Sequence, residues 1–151
     1  MNRKCISITV GIMFCLLASC AQKSMSGHFP DPTVLSGTWR TSSSTLNSRG
    51  HNMTEKTLVL EIMNDGTVTG TAGWDLISGP GGDRIDSRTE NDVEHLIGSF
   101  NQHDNVFFLV ETEENGFWHC RAISKDLIHC HLIQPGSKHV SSFGIFTRDP
   151  D

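Results

Sequence analysis

The chain is 151 residues long, carries 12 Lys and Arg against 17 Asp and Glu for a formal net charge of −5 at pH 7, and is 36% hydrophobic. A mildly acidic chain lacks the basic surface that phosphate backbones select, so no nucleic-acid partner is expected. The length suits one hydrophobic core and one folded domain.

Met1-Asn2-Arg3-Lys4 is a short basic stretch, and Cys5 to Ala18 is an uncharged, mostly apolar run. This is the layout of a secretory signal peptide. A spanning helix needs roughly 20 apolar residues, so the run reads as a signal and not an anchor. It ends in Leu17-Ala18-Ser19-Cys20, which resembles the lipobox of bacterial lipoproteins. The resemblance implies a diacylglyceryl thioether on Cys20 and cleavage before it; an ordinary signal peptide with Cys20 free is the alternative. Two or three acyl chains suffice for stable anchoring. The residue after Cys20 is Ala21 and not Asp, which points to the outer membrane facing the periplasm if the cell is Gram-negative. The chain thus divides into a signal at 1–19, a lipidated Cys and tether at 20–34, and a domain at 35–151. Its expected address is the bacterial cell envelope, with the membrane as partner through the lipid anchor.

Cys5 and Cys15 leave with such a signal and Cys20 carries lipid, so Cys120 and Cys130 remain, an even pair in an oxidising compartment. A disulfide between them is expected.

Residues 21–34 are polar and broken by Pro30 and Pro32, a tether with a reach of about 45 Å when extended. The folded part is expected to begin near Leu35. Leu35–Thr41 is β-prone, 42–54 reads as a Ser- and Asn-rich loop, and Thr57–Met63 reads as a strand. Asn64-Asp65-Gly66 is a hairpin turn, since such turns require positive φ. Thr67–Trp74 is the return strand. Residues 75–92 form the longest irregular stretch, with a short strand near Arg84–Ser87; loops of this length are often functional. Glu94–Asn101, Asn105–Thr112, Phe117–Ser124, Leu127–Gln134 and Val140–Arg148 each read as strands with short connections. Seven or eight sequential strands without helical period indicate an all-β, up-and-down antiparallel barrel of about eight strands, closed so that no edge is left exposed.

The Cys-bearing hairpin tests its own register. A three-residue loop of Ser124, Lys125 and Asp126 sets Ile123 against Leu127 and Cys120 against Cys130. It also pairs Trp118 with Leu132 and Ala122 with Ile128 on the Cys face, and His119 with His131 and Arg121 with His129 on the other. A one-residue slip would mix the two sets.

Few constellations carry chemistry. The facing His119 and His131 have the residue types to share zinc or copper, but a tight site needs a third ligand, and an exposed polar hairpin face is the ordinary account. Gly79–Asp86 faintly resembles a calcium loop without EF-hand spacing. Glu111, Glu113 and Glu114 read as solvated charge at a hairpin end. No nucleophile elbow, zinc-protease helix or phosphate loop is present, so neither enzymatic activity nor a cofactor is expected. Trp39 reads as a ring plugging the closed end of a small barrel. Trp74, beside the long loop, suits either a ligand mouth or packing beneath that loop.

Leu35-Ser36-Gly37-Thr38-Trp39, Val68-Thr69-Gly70-Thr71 and Gly144-Ile145-Phe146-Thr147-Arg148 resemble the first, third and last strands of the avidin and streptavidin family, with lipocalin-like barrels as a broader likeness. The resemblance implies an eight-stranded barrel. Thr41, Ala72 and Gly144 stand where that family has an Asn, a Tyr and a biotin-contacting Asn, which argues against biotin.

The expected function is binding of a small molecule at one open end, with Thr41, Trp74, Ser78 and Trp118 as candidate ligand contacts. A protein-interaction module with a solid barrel, such as an envelope assembly factor or inhibitor, is the alternative. A metal-binding envelope protein using His119 and His131 is the third reading.

Overall fold

The computed structural model describes residues 29–81 and 93–150. Eight strands follow one short 3-10 turn at Pro32–Leu35: β1 Gly37–Asn47, β2 Gly50–Ile62, β3 Thr67–Ser78, β4 Val93–Asn101, β5 Val106–Glu111, β6 Phe117–Ser124, β7 Leu127–Gln134 and β8 Val140–Arg148. Each strand pairs antiparallel with its sequence neighbour, and β8 returns to β1 to close the barrel. The up-and-down barrel expected from the sequence is the fold found. Among the described residues no helix is long and apolar enough to cross a membrane.

The second half follows the sequence reading closely, with β6, β7 and β8 having the expected bounds. Cys120 faces Cys130 and the two are bonded; Trp118 faces Leu132, Ala122 faces Ile128, and His119 faces His131. The turn differs. Ser124, not Ile123, opposes Leu127, and a register shift falls between Ala122 and Ser124. A bulge at Ile123 absorbs one residue, so the loop is Lys125-Asp126 and the Cys register survives.

The first half departs more. The expected loop over 42–54 is instead the far half of β1 and the near half of β2, joined through Ser48 and Arg49. Its Ser, Thr and Asn residues alternate inward and outward: Ser43, Thr45, Asn52 and Thr54 are buried inside the barrel. Strand β3 continues to Ser78, which shortens the loop expected over 75–92. The short strand near Arg84–Ser87, the signal at 1–19, and Cys20 lie outside the described residues.

The chain packs on the barrel from Phe29, ahead of the start expected near Leu35. Phe29 and Leu35 join the core cluster, and Gln102 Nε2 donates to the carbonyls of Phe29 and Pro30 at 2.6 and 2.9 Å. This segment crosses the end where β1 begins. There Trp39 is fully buried, donates from Nε1 to the Leu35 carbonyl at 3.2 Å, and lies under the Arg148 guanidinium 4.9 Å from its ring centre. Leu58, Phe107, Ile128 and Phe146 fill the barrel behind it. Side chains of this size contribute about 1.5–3 kcal/mol each when fully buried. Gly70 and Gly98, on paired strands, lie so close to neighbouring backbone that a Cβ would meet the Val59 carbonyl at 2.1 Å and the Phe108 carbonyl at 2.0 Å.

Candidate functional site at the open end of the barrel

Alternation along β2 explains the site. Residues of one parity point inward, so Leu58, Leu60 and Ile62 serve the closed end, while Asn52, Thr54 and Lys56 carry the same inward phase to the other end. Strand β1 does the same, from Trp39 through Thr41 and Ser43 to Thr45. The interior therefore changes from apolar to polar along its axis.

At the polar end lies a cavity of about 180 Å³. Thr45, Asn52, Thr54 and Lys56 form one wall, and Glu94, Glu111 and Gln134 the opposite one. Trp74, Leu76, Trp118 and Leu132 supply apolar surface. A concave, partly apolar space with a few convergent polar groups is the form of a small-molecule site. The cavity lies below the volume usual for drug-sized ligands, which sets its scale.

The β1–β2 wall is organised around Lys56. Its side chain is 4% exposed. Its ammonium donates to Ser43 Oγ at 2.7 Å, Thr45 Oγ1 at 2.8 Å and Thr54 Oγ1 at 2.5 Å. The hydroxyls pass their own hydrogen bonds onward: Thr45 Oγ1 donates to Ser142 Oγ, Ser142 Oγ to the Ser44 carbonyl, and Thr54 Oγ1 to the Ser43 carbonyl. Burial holds the Lys56 amine down at a pKa of about 8, because the charged form loses hydration.

The opposite wall is acidic. Glu111 is 9% exposed and its Oε1 accepts from Trp118 Nε1 at 3.0 Å, so it is not the solvated charge the sequence suggested. Burial raises its pKa against the opposing effect of that hydrogen bond. Glu94 is raised to about 7, first by desolvation and then by the like charges of Glu114, Glu111 and Glu113. Its Oε2 is shielded from solvent and has no hydrogen-bond partner among the described residues, an arrangement that suits the protonated acid. Glu114 accepts from Gln134 Nε2 at 2.5 Å at the rim.

The rim itself is clipped in place. Asn47 Nδ2 donates to the Gly81 carbonyl at 2.9 Å, and Asn52 Oδ1 accepts from Gly81 N at 2.8 Å. Gly79 has φ +108°, and a Cβ there would sit 2.6 Å from Asn52 Oδ1, so the segment leaving β3 can settle onto the β1–β2 hairpin only with glycine at that position.

Among the residues singled out from sequence, Trp74 and Trp118 line the cavity, Trp74 at 38% exposed and Trp118 buried. Thr41 is buried deeper in the barrel, and Ser78 is exposed at the end of β3; neither lines the cavity. His119 and His131 lie on the outer face, ring centres 6.5 Å apart, in a row that runs from Phe108 to Phe143. Among the described residues no three His, Cys, Asp or Glu side chains come together as a metal site requires. Sequence reading missed Lys56, Asn52, Thr54, Glu94 and Glu111. Extending the inward phase of Leu58-x-Leu60-x-Ile62 backwards reaches Lys56, Thr54 and Asn52, and that of Phe107-x-Leu109 reaches Glu111.

No protein-family model matches the sequence, and no curated protein matches it. Solved structures similar to this chain include two of low sequence identity. One is the S-type phycobiliprotein lyase CPES from Guillardia theta, at 10% identity over 77% of this chain and 89% of that one, with a TM-score of 0.46. The other is the odorant binding protein OBP1, at 14% identity over 80% of this chain and 75% of that one, with a TM-score of 0.45. The barrel architecture rests on the strand pairing itself.

Proposed function

We propose that this protein binds a small molecule in the open end of its barrel, without catalysing a reaction, and does so in the bacterial cell envelope, anchored through lipid on Cys20. The observation that carries the binding is the cavity between the Lys56 wall and the Glu94–Glu111 wall, lined also by Trp74 and Trp118. Small barrels are either filled by side chains or hold one ligand, and among the described residues no side chain fills the polar end here. Native mass spectrometry on the full chain recovered from cell membranes tests this. A releasable adduct of small mass is expected, and Ala72→Phe, which projects a ring into the cavity, abolishes it while circular dichroism stays unchanged. A bare chain in both forms sinks the reading. The address is tested separately: Cys20→Ser moves the protein from the membrane to the soluble fraction.

One observation favours the second reading, docking of an envelope protein. Ile97, Phe108, Val110, Phe117 and Ile133 are all exposed on the outer faces of adjacent strands β4 to β7, and exposed apolar patches mark interaction sites. Under that reading Phe108→Ser with Phe117→Ser removes a crosslinked partner from envelope preparations. An intact chain that crosslinks to nothing counts against it.

A further inference from the structure

The binding reading leaves the class of ligand open, and the charge on the β1–β2 wall narrows it. Lys56 is buried with its ammonium on Ser43, Thr45 and Thr54, and among the described residues no carboxylate comes within ion-pair distance of it. A buried cation is costly unless it is paired, and hydroxyl dipoles solvate it without cancelling its charge. The cluster cannot supply that charge from within, since its hydroxyl protons end on the Ser43 and Ser44 carbonyls. Thr45, Thr54 and Lys56 all face the cavity.

From this juxtaposition we infer that the ligand is a small organic monoanion, its carboxylate seated on the Lys56–Thr45–Thr54 cluster and its apolar body against Trp74, Leu76, Trp118 and Leu132. The inference rests on the binding reading above. Hydroxyls that accept from Lys56 can turn their protons outward to a carboxylate, so the cluster offers charge-assisted hydrogen bonds as well as charge. The far wall sets the limit on charge. Glu111 and Glu114 repel a second negative group, while a protonated Glu94 donates to a neutral carbonyl or hydroxyl at the ligand's other end. A cationic ligand is disfavoured by Lys56 and by the drift of Glu94 and Glu111 towards their neutral forms.

The test is a series of equal length, hexanoate, 1-hexanol and hexylamine, titrated calorimetrically into the full chain at pH 6 with tryptophan fluorescence as a second readout. Hexanoate is expected to bind about tenfold tighter than hexanol, the scale of one charge-assisted contact, with hexylamine weakest. Lys56→Met brings hexanoate down to the hexanol level, whereas Lys56→Arg keeps the preference. Equal affinity for hexanoate and hexanol, a preference that survives Lys56→Met, or tightest binding of hexylamine overturns the anion class while leaving the site standing. Binding of none of the three also overturns it, and the native-mass adduct then decides the binding reading on its own. The comparison within the unaltered chain holds even if the Met variant fails to fold.

Discussion

The two ends of this barrel are made from the same strands, with the same alternation of inward and outward residues, and they do opposite things. At the closed end the inward positions are Trp39, Ile62, Phe100, Phe107, Ile128 and Phe146, and the chain from Phe29 to Leu35 folds across them. At the open end the same positions are Thr45, Asn52, Thr54, Lys56, Glu94 and Glu111. Alternation decides which way a side chain points; its chemistry decides whether the space is filled or kept. One end gains stability from burial, and the other carries a buried cation and two acids with shifted pKa values. Groups with such perturbed pKa values are the kind that gather at functional sites.

That contrast can be broken most forcefully at the closed end. Trp39→Ala removes a fully buried ring and the partner of the Leu35 carbonyl, and is expected to cost about 3–5 kcal/mol in denaturant unfolding. A loss below 1 kcal/mol means the Phe29–Leu35 segment is not held by it. Next in size is the disulfide. Replacing Cys120 and Cys130 together by Ala removes a crosslink of sequence separation 10 from the middle of the core, at an expected cost of about 2–4 kcal/mol. Unfolding curves with and without reductant, coincident for the double variant and separate for the parent, confirm the source. At the open end the sign reverses. Lys56→Met exchanges a desolvated cation for an apolar side chain of similar length, and is expected to raise stability by about 1–2 kcal/mol at pH 7. A destabilised Met variant shows that the hydroxyl cluster needs its ammonium.

The same contrast governs how much was legible in the sequence. Strands β6 to β8 were readable because Trp118, Cys120 and Ala122 alternate cleanly with polar residues, and a hairpin pairing those sets has one workable register. Ser42 to Thr54 was misread as a loop because both parities there are polar: Ser43 and Thr45 face in while Ser42 and Ser44 face out, and no hydrophobic period survives. The residues that make the cavity polar are thus the ones that hide its strands. Glu111 was misassigned for a related reason, sitting beside Glu113 and Glu114 in sequence while sharing its inward phase with Phe107 and Leu109. The bulge at Ile123 and the docking of Phe29 left no local signal, since each depends on contacts distant in sequence.

The smallest effect distinguishes the ends by pH. Glu94 titrates at about 7 in the folded chain, against an ordinary value of 4.5, so between those values the folded state holds a proton that the unfolded state has released. Stability therefore falls as pH rises through that window, and Glu111, shifted in the same direction, steepens the fall. Lys56 behaves in the opposite sense. Its amine titrates at about 8 against an ordinary 10.5, so above pH 8 the unfolded chain keeps a proton that the folded chain has lost, and stability rises. The two slopes meet between pH 7 and 8, where Tm is expected to pass through a shallow minimum in a scan from pH 5 to 10. Lys138, His139 and Glu114 also stand around the mouth, so each limb needs its own control. Glu94→Gln should flatten the acid limb alone, and Lys56→Met the alkaline limb alone. The closed end contributes no such curvature, because the residues that fill it carry no ionisable side chain; a Tm that slopes one way across the range, or that keeps its minimum in both variants, removes the open end as the origin of the pH dependence.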